Sequence, residues 1–394
     1  MDKGGIFMIF YEIKLDDIFQ FKNFCVDFTY SRESKYSPIS QAHKEYPNLK
    51  YKKFAVLLGA NASGKTTLGK ALCVIQNFLN GKDISTISFA NIKGAFEKGI
   101  NKEISIETTF STRSYMYYFE CKIGLEGITS ETWKRITLKN LSYNKLKQEL
   151  DKSKPIYTKS SFDTKSFVSY FLTSKEYIEH RNEIQTSIGF IYTFSGSDDN
   201  LVDESIGLDI SYLKKIIMSF DSSVQDVTNS EEVPGNKIIH FKNGHKEIVL
   251  KNGKLSDERS SVLSTGTKEG IMLAYMMYAL FRNAYPTLYI DEKMSHSHSE
   301  IEEQIIQILI TLINRIDGQV FITSHNSDLL NLDIPNYNFM LFKKNRDGSI
   351  SNVIEPEKLV KHQNRKLKRI VEDDIFSTAP ILDSLIDLHN SLSN

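Results

Sequence analysis

Proline is scarce in this chain, with 8 in 394 residues, and cysteine scarcer, with 3. Cys25, Cys73 and Cys121 stand far apart and form no C-x-x-C pair, which excludes the ligand spacing of a zinc site and a disulfide framework. A reducing, cytoplasmic setting is the resulting expectation. Long apolar runs are missing too. The longest, Ile271 to Phe281, falls well short of the roughly twenty residues that span a bilayer. Met1 to Phe10 lacks the apolar stretch and cleavage site of a secretory signal, so a soluble protein with no membrane partner is expected. Net charge is absent as well: 49 basic and 49 acidic residues cancel, leaving no global field to draw the molecule onto nucleic acid. No heptad pattern persists over three or more heptads, which excludes a long coiled coil. With 40% hydrophobic residues the chain can still bury a sizeable core, as one large composite domain or two smaller ones.

What is present is a phosphate-binding loop. Gly59-Ala60-Asn61-Ala62-Ser63-Gly64-Lys65-Thr66 fits G-x-x-x-x-G-K-[ST]. An apolar strand pattern, Phe54 to Leu58, enters it, and a helical pattern from Thr66 leaves it through Leu68, Leu72, Val74 and Phe78. The spacing follows from the chemistry: glycines let the backbone wrap an anion, successive N–H groups and a helix N-terminus face it, and Lys65 reaches the β- and γ-oxygens. Thr66 offers a hydroxyl to Mg²⁺. The loop residues Gly59, Asn61, Ala62, Ser63, Gly64, Lys65, Thr66 and Thr67 are therefore the candidate ATP contacts, with Mg²⁺ as the accompanying ion.

Three further segments follow in the second half of the chain. Leu263-Ser264-Thr265-Gly266-Thr267 precedes an apolar helix pattern, Ile271 to Tyr285. Thr287-Leu288-Tyr289-Ile290-Asp291-Glu292 is an apolar strand ending in two carboxylates. Val320-Phe321-Ile322-Thr323-Ser324-His325 is another, ending in Ser and His. Each alone reads equally well as a helix cap, a solvated loop or a structural histidine; their order after a phosphate loop is what carries information.

In that order the chain resembles the ABC-type ATPase heads of the OLD, RecF and SMC-like branch. The resemblance implies a P-loop NTPase of α/β class, an ABC-type head with an antiparallel β-layer, a mainly parallel core sheet flanked by helices, and a compact helical insert. It makes Asp291 the Walker B aspartate that holds Mg²⁺ through water and Glu292 the general base. One carboxylate for the metal and one for the nucleophile is what phosphoryl transfer requires. His325 matches the switch histidine. His298, preceded by Ser297, falls in the D-loop region. The signature reads L-S-T-G-T where transporters have L-S-G-G-Q, a variant similar to the RecF, OLD and defence-associated branch. There Ser264 and Gly266 cap the γ-phosphate held by an opposite subunit, implying a head-to-head homodimer or higher homo-oligomer. Gln185 and Gln225 both lie between loop and signature, and neither is assignable to the family's glutamine loop.

The resemblance divides the chain into four parts. Residues 1–125 form an ATPase lobe with Walker A and β-layer, opened by Phe21-Lys22-Asn23-Phe24, which is similar to the start of RecF- and SMC-like heads. Residues 126–235 form a mainly helical insert, including the polar spacer 195–200. Residues 236–360 form the lobe with signature, Walker B and switch histidine, and 361–394 a basic then acidic tail packing on the head. Alternation over Ile104 to Ile123 predicts strands, Asn140 to Lys154 a helix, and Ile238 to Leu250 a hairpin around Gly244. Lys361, Arg365, Lys366, Lys368 and Arg369 read either as a solvated helix face or as a dock for nucleic acid. The ending Asp373-Asp374-Ile375-Phe376-Ser377-Thr378-Ala379-Pro380 is similar to that of AAA-family ATPases of abortive-infection and anti-phage systems, such as AbiL and the PARIS and Septu ATPases. The implied function is an ATPase that gates a separate effector, a nuclease. A RecF- or SMC-like DNA clamp is the second reading and a transporter motor the third.

Overall fold

The computed structural model describes residues 8–30, 37–97, 103–160, 166–194, 207–251, 253–256, 263–294, 298–345, 348–359, 367–372 and, near the C-terminus, 388, 389 and 392. Its strands are β1 (Ile9–Asp16), β2 (Phe21–Asp27), β3 (Phe54–Leu58), β4 (Ile104–Ser111), β5 (Tyr115–Gly124), β6 (Gly127–Thr137), β7 (Tyr157–Lys159), β8 (Phe190–Thr193), β9 (Val224–Asn229), β10 (Lys237–Phe241), β11 (Lys246–Val249), β12 (Thr287–Asp291), β13 (Gln319–Ser324), β14 (Phe339–Phe342) and β15 (Ile350–Ile354). The helices are α1 (Lys65–Leu79), α2 (Ile92–Glu97), α3 (Tyr143–Lys152), α4 (Tyr170–Thr173), α5 (Ile178–Ser187), α6 (Ile210–Phe220), α7 (Thr265–Phe281), α8 (Ser299–Ile313), α9 (Pro356–Leu359) and α10 (Leu367–Glu372).

A single sheet of 12 strands runs β7-β6-β5-β4-β1-β2-β15-β14-β3-β13-β12-β8. Its core, β14-β3-β13-β12-β8, is parallel throughout. The outer part from β2 to β7 is antiparallel, and β15 joins the two, pairing antiparallel with β14 and parallel with β2. The expected β-layer is thus an extension of the core sheet. A separate antiparallel sheet, β11-β10-β9, contains the predicted hairpin at Gly244.

The apolar character of the parallel strands follows from burial on both faces. Phe54, Val56, Leu288, Ile290, Val320 and Ile322 point into one core, shared with α7 and α8. Ala55, Leu57, Tyr289 and Phe321 point into the other, shared with α1 and the inner face of β1, β4 and β5. A small third cluster around Tyr11, Tyr51 and Tyr143 covers the other face of the antiparallel strands beneath α3.

Residues 126–235, expected as a mainly helical insert, thread through this sheet. β6 pairs with β5 from Thr137 back to the Gly124–Gly127 turn, β7 extends that edge, and β8 forms the opposite edge beside β12. Their strand signal is weak in the sequence because β6 (GITSETWKRIT) mixes charged residues into its alternation and β8 spans only 4 residues. Helix α7 begins at Thr265, ahead of the expected Ile271, because Ser264 Oγ accepts the Thr267 N–H and caps it. The spacer 195–200 and the tail ending 373–380 lie outside the described residues.

Just before β3 and β13, Lys53 and Asp317 form a buried pair at 3.1 Å, 1% and 2% exposed. Asp317 also accepts from Tyr51 Oη at 3.2 Å and from Lys44 N at 3.1 Å. Asp317→Ala leaves the Lys53 charge uncompensated and is expected to cost about 3–5 kcal/mol in urea denaturation; a loss under ~1 kcal/mol would show the pair to be dispensable. Nearby, His43 Nδ1 accepts from Glu45 N and Tyr46 N at 3.1 and 3.2 Å, which requires a neutral ring. Burial lowers its pKa, outweighing the attraction of Asp317. The unfolded state therefore takes up this proton first: the stability is complete above about pH 6.5 and is lost as pH falls below it. His43→Asn should flatten the dependence of melting temperature on pH between about 6.5 and 5; an unchanged slope would refute the assignment.

Candidate nucleotide-binding site

The site forms where β3, β13 and β12 end side by side. The register pairs Leu58 with Ser324 and Thr323 with Asp291, so the phosphate loop, the Ser324-His325 corner and the Asp291-Glu292 corner emerge as neighbours. Ends of parallel strands at such an edge are where α/β proteins hold ligands.

The loop needs its glycines. Gly59 has φ 154 and Gly64 φ 107. A Cβ on Gly59 would lie 2.5 Å from the Phe342 carbonyl oxygen, and one on Gly64 would collide with Ile350. Ala62 also takes a positive φ, 59°, and stands exposed with Asn61. Ser63 is buried and its hydroxyl has no protein partner. An orphaned buried hydroxyl inside a glycine-framed loop at the start of a 15-residue helix fits an anion such as a nucleotide phosphate.

Lys65 folds back over the loop, donating to Gly59 O at 2.8 Å and Ala60 O at 3.3 Å. Burial pushes its pKa down, opposed by Glu292 and Asp291. Its ammonium lies 3.7 Å from Glu292 Oε1, and Glu292 Oε1 lies 2.7 Å from His325 Nε2. Lys65 Nζ is also 3.5 Å from His325 Nδ1. A neutral imidazole donating from Nε2 to Glu292 and accepting at Nδ1 satisfies all three groups.

Asp291 is fully buried and collects two hydroxyls: Thr66 Oγ1 at 2.8 Å and Thr323 Oγ1 at 2.7 Å. Glu292 then turns out of the strand at φ 55°, with its N–H directed to Thr323 Oγ1 at 3.1 Å. A non-glycine residue in the left-handed region is strained, and strain of this kind gathers at functional sites. Thr67 is half-buried in the first turn of α1.

The structure therefore assembles Gly59, Ser63, Gly64, Lys65, Thr66, Asp291, Glu292 and His325. Ser264 is engaged in its own helix cap: its Oγ contacts Thr267 Oγ1 at 2.8 Å, and Thr267 Oγ1 donates to Asp221 at 3.2 Å. Thr267, where transporters carry glutamine, is fully buried as part of this cap. Gln185 donates to Asn80 O at 2.8 Å and Gln225 is exposed on β9, so neither serves the site. His298 is the N-cap residue of α8, and Ser297 lies outside the described residues. Of the basic stretch, Lys361, Arg365 and Lys366 lie outside the described residues; Arg369 is exposed, and Lys368 pairs with Asp328 at 2.6 Å.

Sequence reasoning missed Thr323 and Tyr289. Tyr289, two residues before Asp291 and on the same strand face, donates to the Lys65 carbonyl and packs so closely that a Cβ on Gly69 would lie 2.5 Å from its ring. The signal available was alternation along β12, which aims residues 289 and 291 at the same helix. Among the described residues no helix is long and apolar enough to cross a membrane.

Solved structures of similar fold include an Smc head bound to the C-terminal winged-helix domain of ScpA (13% identity, 90% of this chain and 99% of that one, TM-score 0.45), the SMC head domain from Thermotoga maritima (12%, 88% and 98%, 0.40), and a Pyrococcus furiosus Smc head with an extended coiled coil bound to the C-terminal domain of ScpA (12%, 93% and 99%, 0.45). No curated protein matches. The family model described as "AAA domain, putative AbiEii toxin, Type IV TA system" matches residues 54–333, from the strand entering the phosphate loop to beyond His325 and over more than half of the chain. The chain belongs to this family of AAA domains, and its fold is that of a P-loop ATPase.

Proposed function

We propose that the protein binds and hydrolyses ATP and serves as the nucleotide-gated sensor or scaffold subunit of a bacterial anti-phage system, of the abortive-infection or toxin–antitoxin kind, controlling a separate effector nuclease. The observation that carries the ATPase reading is the convergence of Lys65, Glu292 and His325 above the buried Asp291–Thr66 contact. The family's description, which names a toxin of a toxin–antitoxin system, supports the defence reading.

In the proposed reaction the carbonyls of Gly59 and Ala60 give up Lys65 to the β- and γ-phosphate oxygens of ATP. The loop N–H groups and Ser63 Oγ bind the remaining anionic oxygens. Thr66 and Asp291 would hold Mg²⁺, which neutralises phosphate charge. Glu292 takes the proton of the attacking water, and His325 holds its carboxylate at the required angle. Ser264 and Thr265 stand exposed at the start of α7, beside the buried Gly266, and support a further step in which Ser264 and Gly266 of a second copy close over the γ-phosphate. Each site would then need two protomers, so that dimer geometry reports the nucleotide state to the effector.

Glu292→Gln should lower hydrolysis by roughly 10²- to 10⁴-fold while retaining ATP and accumulating a dimer in light scattering. Wild-type turnover in that variant would refute the base assignment. Lys65→Ala should abolish retention of radiolabelled ATP on filters, and retention at the wild-type level would remove the loop from the mechanism. Glu292→Gln purified with its operon neighbours should bring down a protein effector in ATP. Cleavage of nucleic acid by the purified chain alone would overturn the separate effector, and retention of duplex DNA with no protein partner would favour the clamp.

A further inference from the structure

The seat of His325 is built by a carboxylate from a different element. Glu302, in the first turn of α8, is 4% exposed. Its Oε1 accepts from Ser324 Oγ at 2.9 Å and its Oε2 from Asn326 Nδ2 at 2.8 Å, so the residues on both sides of the histidine are tied to one buried group. Ser324 Oγ in turn accepts the Asn326 N–H at 3.0 Å, which commits its hydrogen to Glu302. The Asn326 amide cannot turn over freely either, because its Oδ1 accepts the Asp328 N–H at 2.9 Å and caps the short 3₁₀ turn Ser327–Asn331. Both oxygens of Glu302 therefore have to accept. A carboxylate meets that demand; an amide would set its own N–H groups against one of the two donors.

We propose that Glu302 is the positioning residue for His325. Through Ser324 and Asn326 it fixes the corner from which the imidazole reaches Glu292, so the placement of the proposed base is set by α8. Because α8 opens at His298, seven residues after Asp291, the helix that follows the two carboxylates also holds the histidine facing them. A partner that shifts α8 would move the imidazole relative to Glu292 without touching the phosphate loop.

The inference rests on the ATPase reading above, and the test separates the two. In the full-length chain, Glu302→Leu and the near-isosteric Glu302→Gln are compared with wild type for ATP turnover, for affinity toward a fluorescent ATP analogue and for thermal unfolding. The same substitutions are repeated in a His325→Ala background. The expected result is a fall in kcat on the order of 10- to 100-fold in both variants, with affinity for the analogue unchanged. In the His325→Ala background neither substitution should lower kcat further. If kcat falls by the same factor with and without His325, or affinity falls in step with kcat, Glu302 is a structural residue and the proposal fails. Full activity in Glu302→Gln would overturn it too, even if Glu302→Leu does not fold. Wild-type protein that binds the analogue and hydrolyses no ATP would refute the ATPase reading itself, and this inference with it.

Discussion

A fully buried carboxylate must have its oxygens satisfied, and in this protein that requirement ties the site together. Asp291 ends β12 with no exposure to water and receives one hydroxyl from the first turn of α1 and another from the end of β13. An unsatisfied charged group at that depth would cost several kcal/mol. The two threonines thereby lock α1, β12 and β13 into one arrangement. Tyr289 adds a second pin between β12 and α1 through the Lys65 carbonyl. These bonds fix the phosphate loop, the end of β12 and the end of β13 relative to one another.

The parallel strands hold their ends in line because both of their faces are buried. Polar side chains then fix the joints that apolar packing leaves undetermined. Gln319 both accepts from Phe10 N at 2.8 Å and donates to Phe10 O at 3.0 Å, anchoring β1 to the start of β13. Glu131 receives Trp133 Nε1 at 2.7 Å, Ser169 Oγ at 2.5 Å and Tyr170 N at 2.9 Å, satisfying a carboxylate inside the antiparallel end. The Gln319 bonds join segments 309 residues apart and those from Ser169 and Tyr170 to Glu131 segments 38 and 39 apart, and each fixes one register where non-directional burial would tolerate several.

The signature segment shows how local chemistry and tertiary context divide the work. Leu-Ser-Thr-Gly-Thr is legible as a helix start, and Ser264 caps α7 as that pattern leads one to expect. Nothing in the sequence says that Thr267 would be buried against Asp221 at the end of α6, nor that Gly270 sits where Phe220 leaves no room for a Cβ. Likewise the basic stretch reads as an open surface, yet Lys368 folds onto Asp328 three residues after His325 while Leu367 and Ile370 enter the core.

By itself the sequence determined what is local: the glycine-framed loop between β3 and α1, the two carboxylates ending β12, the Ser-His ending β13, and most strands and helices around them. These are strand, turn and helix signals spanning a few residues, and they hold wherever the segment is placed. Only the tertiary structure decided which strands lie side by side, that β15 fuses the antiparallel part to the parallel core, that β8 forms its far edge, and that Thr323 bonds Asp291, Tyr289 the Lys65 carbonyl and Glu302 the two residues beside His325. Those roles depend on hydrogen bonds between residues distant in the chain, formed once burial has paid for the loss of water around them, and no short window of sequence contains both partners.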